Sequence, residues 1–321
     1  MKRSIEALVI VPLLLVIAAM AVLGVYGIAR AEPVQQFAFQ LESPRAGDLA
    51  VRMLIRRFDT TGGVPPTPSD FALRLPRGVA LDRAFLTPRH LCDGRALRDA
   101  LDARPSATPF TRRLAHLDAF VRELQRSGSG RARAELANVR ACARGRVGGG
   151  SGLIDARDAV AVLTDPIPVR FSIFLSRGTH PGAIAGFTIV GAADERSAIV
   201  RRYSVVAGVH AVMTEDVVSD PAPDGVYDLK IVIDTGPVNG FRVSIAEVDA
   251  RARSLVLRRG TCLARAGGGR CVRRQRTDAS LFVLPRCPAS GHYSAQLLSV
   301  YPPPLASQAT TLQVPCPRYV S

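Results

Sequence analysis

The chain has 321 residues, 47% of them hydrophobic, enough for a buried core in one large domain or two small ones. Tryptophan is absent and aromatics make up only 6%, which argues against a single-stranded nucleic-acid binder built on stacking platforms; no specific nucleic acid is expected as a partner. The net charge is +15, and with only Lys2 and Lys230 as lysines the positive charge is almost entirely arginine.

Residues 1–31 read as a signal peptide or an N-terminal membrane anchor. Lys2 and Arg3 precede an apolar run from Ala7 to Ala29. Ala29-Arg30-Ala31 then puts small residues at the −3 and −1 positions of a cleavage site before Glu32. The run is also long enough to span a bilayer uncleaved. Both readings place residues 32–321 outside the cytoplasm, secreted or membrane-anchored, with membrane contact only through the first segment.

Phe37 to Leu41 alternates weakly. Val51 to Phe58 is a better strand, with Val51, Met53 and Ile55 on one face and Arg52 and Arg56 on the other. Glycine and proline between Asp59 and Pro66 mark a loop, and Phe71, Leu73 and Leu75 restart the alternation.

From Gly94 to Ala143 the period becomes helical. Leu97 and Leu101 lie one turn apart. Thr108-Pro109 reads as N-cap and first helical residue of a helix carrying Phe110, Leu114, Leu117, Val121 and Leu124 on one stripe. Ser127 to Gly130 breaks it, and Leu136 and Val139 suggest a further short helix ending near Cys142. A stripe of this kind packs on the rest of the chain. Gly148-Gly149-Gly150-Ser151-Gly152 lacks the lysine of a phosphate loop and the second glycine of a nucleophile elbow, and reads as a flexible turn entering a strand.

Beyond it the β pattern persists: Val169 to Leu175, Ile184 to Val190, Tyr203 to Met213, Tyr227 to Ile233, Phe241 to Ile245, Leu255 and Leu257, Leu281 and Val283, Ser294 to Val300, and Thr310 to Val314. Many short strands separated by turn signals predict a mainly β fold, with sandwich-like antiparallel sheets and a helical insertion around residues 94–143.

The even cysteine count fits three disulfides in an oxidising compartment. Six cysteines allow fifteen connectivities; sequential pairing, Cys92–Cys142, Cys262–Cys271 and Cys287–Cys316, is the simplest. The absence of C-x₂-C pairs and the scatter of His90, His116, His180, His210 and His292 speak against a metal site, and no cofactor motif is present.

The segment Arg258 to Arg276 carries Arg258, Arg259, Arg265, Arg270, Arg273, Arg274 and Arg276 with no acidic residue, around Gly267-Gly268-Gly269. Guanidinium groups bind phosphate and carboxylate bidentately, so a hairpin here suits an anionic cell-envelope polymer or lipid headgroups. The competing explanation is GC-rich coding, which favours arginine together with the abundant alanine, glycine and proline. The acidic residues Glu215, Asp216, Asp220, Asp224 and Asp228 match no EF-hand spacing.

Three stretches carry a resemblance: Leu75-Pro76-Arg77-Gly78-Val79 followed by Cys92; Cys142 with Arg144 to Gly150; and Leu284-Pro285-Arg286-Cys287-Pro288 with Cys316-Pro317. In these the chain resembles a set of uncharacterised exported β-rich proteins of GC-rich actinobacteria, although the first two cysteines of that set lie closer together. The resemblance implies a secreted or surface-exposed domain and brings no activity. The expectation is thus an exported, non-enzymatic binding or structural module that binds an anionic polymer through a basic hairpin. The alternative is a secreted hydrolase whose site no motif reveals. The ligand and the oligomeric state stay open.

Overall fold

A computed structural model describes residues 33–45, 48–60, 66–103, 108–156, 163, 165–202, 210–220, 226–233, 244–253, 256–265, 271–284 and 286–316, without the side chains of 42–50 and 253–280. The protein is mostly β, with one large antiparallel sheet nearly closed into a barrel. Its strands are β1 (Pro33–Arg45), β2 (Asp48–Asp59), β3 (Asp70–Pro76), β5 (Arg146–Asp155), β6 (Ile167–Ser176), β7 (Ala185–Ala193), β8 (His210–Ser219), β9 (Tyr227–Val232), β10 (Ser244–Arg253), β14 (His292–Val300) and β15 (Gln308–Pro315). They lie side by side in the order β1-β2-β10-β5-β6-β7-β8-β9-β3-β14-β15. Two short ribbons form sheets of their own, β11 (Val256–Arg265) with β12 (Cys271–Ser280), and β4 (Ala80–Leu81) with β13 (Phe282–Val283).

The expected pair of packed sheets is therefore replaced by a single curled one. Eleven strands that alternate in direction leave the first and last pointing the same way, so antiparallel pairing cannot continue across the seam between β1 and β15. Side chains stitch it instead. Gln35 Nε2 donates to Thr310 Oγ1 at 3.2 Å, Ser299 Oγ donates to Gln35 Oε1, and Gln308 Nε2 donates to the Pro33 carbonyl.

Period-two alternation decides which side chains face inward. Phe37, Phe39, Ile55, Phe71, Leu73, Ala295 and Leu297 form one part of the interior. At one end of the barrel Phe85 and Leu281, with Leu81 and Phe282, pack against Val147, Leu175 and Val217 and stop that end.

The helical insertion lies outside the wall. It comprises α1 (Gly94–Asp102), α2 (Phe110–Ala115), α3 (Leu117–Ser127) and α4 (Gly130–Gly145). Leu97, Leu101, Phe110, Leu114, Leu117, Phe120, Leu124 and Val139 bury against Phe174, Val190, Ala192 and Val212, the outward-facing residues of β6 to β8. The stripe thus packs on the sheet, but not on one helix: His116, at φ −121° and ψ 50°, divides α2 from α3. Pro109 rather than Thr108 occupies the N-cap of α2 and makes no side-chain cap bond; Glu195 accepts from the Phe110 N–H at 3.1 Å in its place. A further short helix, α5 (Ala198–Arg202), had no signal in the sequence.

Cys92 and Cys142 are bonded, as are Cys287 and Cys316, matching the sequential pairing at both sites and fitting an oxidising environment. The side chains of Cys262 and Cys271 lie outside the described residues. No described helix is long and apolar enough to cross a membrane, and residues 1–32 lie outside the description.

Candidate functional site

The inner face of the barrel does not fill its own volume. Val169, Phe171 and Ile173 of β6, Phe187 and Ile189 of β7, Met213 of β8 and Ile231 of β9 face Phe39, Met53, Ile55, Phe71 and Leu73 across a cavity of about 210 Å³. The walls are apolar almost throughout. Glu215 is the exception: it is 3% exposed and lies across the β7–β8 register from Phe187. Glu247 also borders the space but turns its carboxylate outward to Arg56 Nε at 2.9 Å. Large barrels of this kind enclose ligand cavities where small ones fill with side chains.

Strand β5 shapes one wall through its glycines. The expected turn at Gly148 to Gly152 is instead the body of this strand. A Cβ at Gly150 would lie 2.1 Å from the Asp249 carbonyl and 2.8 Å from Phe171 Cζ; at Gly148 it would lie 2.3 Å from the Arg251 carbonyl. Neighbouring backbones occupy the side-chain space, so no residue with a Cβ fits at either position without a shift.

The end of the barrel opposite Phe85 is capped by a buried cation. Arg57 shares the inward phase of Val51, Met53 and Ile55 and is only 4% exposed. Its guanidinium lies over the rings of Phe71 at 5.5 Å and Tyr301 at 5.8 Å. Nη2 donates to Tyr301 Oη at 3.3 Å and to the Pro66 carbonyl, and Nη1 donates to the Ile245 carbonyl at 3.4 Å. The sequence did contain this signal, since Arg57 lies two residues past Ile55 on the apolar face of β2.

The arginines expected to bind a polyanion sit on a separate ribbon. Arg258, Arg259 and Arg265 belong to β11, and Arg273, Arg274 and Arg276 to β12; their side chains, and Arg270 altogether, lie outside the described residues. The backbone register places Gly260 opposite Arg276 and Cys262 opposite Arg274.

The acidic run disperses. Glu215 enters the barrel, Asp220 pairs with Arg74 at 2.7 Å, Asp228 accepts from the Gly78 N–H at 2.9 Å, and Asp224 lies outside the described residues. Asp216, 2% exposed, holds the β6–β7 turn: it accepts from Thr179 N–H and Oγ1, both at 2.7 Å, from His180 N–H at 3.0 Å, and from the His180 ring. Burial pushes its carboxyl pKa up, but the hydrogen bonds from His180 and Thr179 together outweigh it and hold the group below the usual 3.8. The histidines serve different elements; His210 reaches Asp102 of α1 at 2.6 Å. Among the described residues, no three potential metal ligands converge.

No family model, curated protein or solved structure matches the chain.

Proposed function

We propose that this protein is an exported, non-enzymatic binding protein whose barrel lumen holds an apolar ligand, such as an acyl chain. The observation that carries the reading is the cavity of about 210 Å³ walled by aliphatic and aromatic side chains. An unfilled apolar space loses the dispersion contacts that a packed core would make, and a hydrocarbon guest restores them. The apolar run before Glu32 and the two described disulfides support placing the protein outside the cytoplasm. On charge alone, the β11–β12 hairpin remains a candidate surface for an anionic envelope polymer.

The test is a titration of the full chain with N-phenyl-1-naphthylamine, a neutral apolar fluorophore. Ile189→Trp and the milder Met213→Phe both fill the lumen, and each is expected to weaken binding at least tenfold with folding confirmed by thermal unfolding. Undiminished binding in folded, lumen-filled variants would place the dye elsewhere and remove the reading.

A further inference from the structure

The opposite side of the same wall carries a second, polar space. A groove of about 880 Å³ runs over the outer face of β2, β10, β5 and β6 and under helix α2. Its floor is strand β5, where Gly149 and Ser151 face outward and offer almost no side-chain bulk. Register sets Gly149 between Arg251 and Ser172, and Ser151 between Asp249 and Arg170. The low floor therefore lies beside the longer, charged side chains of Arg170, Asp249 and Arg251.

The groove is strongly cationic. Arg52, Arg112, Arg146, Arg170, Arg196 and Arg251 all border the groove. Among the described residues Asp249 binds Arg52 at 3.0 Å, and Asp194 binds Arg170 at 2.7 Å and feels the charge of Arg196. Arg146 donates to the Ala115 carbonyl at 2.6 Å, a neutral partner that fixes the guanidinium without cancelling its charge. Arg112 stands exposed on α2 with no carboxylate partner among the described residues. Guanidiniums bordering one groove repel one another unless an anion lies between them. Their planar forks match the oxygens of phosphate groups. The volume exceeds what one phosphate fills.

We infer that this groove binds a ligand carrying two or more linked phosphate groups. The groove lies on the other side of the wall from the lumen, and among the described residues only Phe171 borders both.

The experiment is calorimetric titration of the full chain with sodium tripolyphosphate at low salt. Ser151→Glu puts a carboxylate on the groove floor and is expected to weaken binding at least tenfold. Arg112→Ala, exposed and outside the core, is expected to weaken it severalfold and serves if the first variant does not fold. Arg273→Glu with Arg274→Glu on the hairpin is expected to leave affinity within twofold. Loss of binding in the hairpin variant with the groove variants unaffected overturns the inference, as does citrate binding as tightly as tripolyphosphate. Competition by poly(glycerol phosphate) assigns the groove to an envelope polymer; its failure to compete assigns it to a free oligophosphate.

Discussion

Asp102 Oδ1 lies 2.6 Å from His210 Nδ1, and the His210 ring stacks on Phe110 at 3.7 Å, so one histidine of β8 ties two helices of the insertion to the barrel wall. Removing it gives up a stacked pair and a hydrogen bond, together about 1–2 kcal/mol. His210→Ala is expected to lower the unfolding free energy measured in urea by that amount. Because the ring serves the insertion, amide exchange is expected to rise in α1 and α2 before the barrel strands. Uniform acceleration across both would contradict the assignment.

Asp216 makes the β6–β7 turn acid-sensitive. Its folded pKa lies below its unfolded value, so its contribution is complete above pH of about 4 and is lost as pH falls through the folded pKa. Asp216→Asn is expected to be less stable than the parent at pH 7, by about 2 kcal/mol, with the gap narrowing at pH 3. Thermal melts at the two pH values decide it; a gap of constant size would mean that ionisation of Asp216 is irrelevant.

His90 acts in a higher pH window. Burial lowers its pKa first, and the charges of Arg144 and Arg89 lower it further. The unfolded chain therefore binds a proton more readily, so stability is full above about pH 6.5 and declines as pH falls toward the folded pKa. His90→Gln is expected to flatten the stability profile between pH 7.5 and pH 5. An unchanged slope in that variant would assign the dependence to other groups.

Gly145 is held by close approach rather than by its backbone angles. A Cβ there would lie 1.9 Å from the His90 carbonyl oxygen, beside the Cys92–Cys142 bond. Backbone on both sides leaves no room to yield, so Gly145→Ala is expected to destabilise by about 3 kcal/mol. Exposed Gly130, with open space around its Cβ position, serves as the control. Equal effects at the two sites would argue against the close contact.

The two described disulfides differ in the length of chain they close, 50 and 29 residues. Loop entropy assigns them about 4 and 3.5 kcal/mol. Cys92→Ser with Cys142→Ser is expected to loosen the insertion, and Cys287→Ser with Cys316→Ser to fray the β14–β15 hairpin. Denaturant unfolding combined with amide exchange separates the two outcomes.

Individual strands were legible because alternation along β2, β3, β6 and β9 reports a half-buried ribbon. Closure was not. Val51, Met53 and Ile55 point inward in the same way whether they face a second sheet or the far side of a barrel. Neighbours also come from distant sequence: β10 slots between β2 and β5, and β3 between β9 and β14. The glycine run misled because glycine favours turns in isolation, whereas here the carbonyls of Asp249 and Arg251 take the side-chain space. The lumen depends on which inward residues fail to meet, which no local pattern records. The groove needed α2 to lie over the outer wall, and the sequence showed only that its stripe packs somewhere.

The Cα atoms of Cys92 and Cys142 lie 4.4 Å apart, little more than the step between adjacent residues. To the barrel, everything between them is an excursion that leaves and returns at one point. Such a junction makes the stretch exchangeable. A shorter or different cover could be grafted between the same two cysteines without altering strand order, provided it shields Val190, Ala192 and Val212. The barrel and its covering can therefore diversify separately, one in the lining of its lumen and the other in the surface it presents.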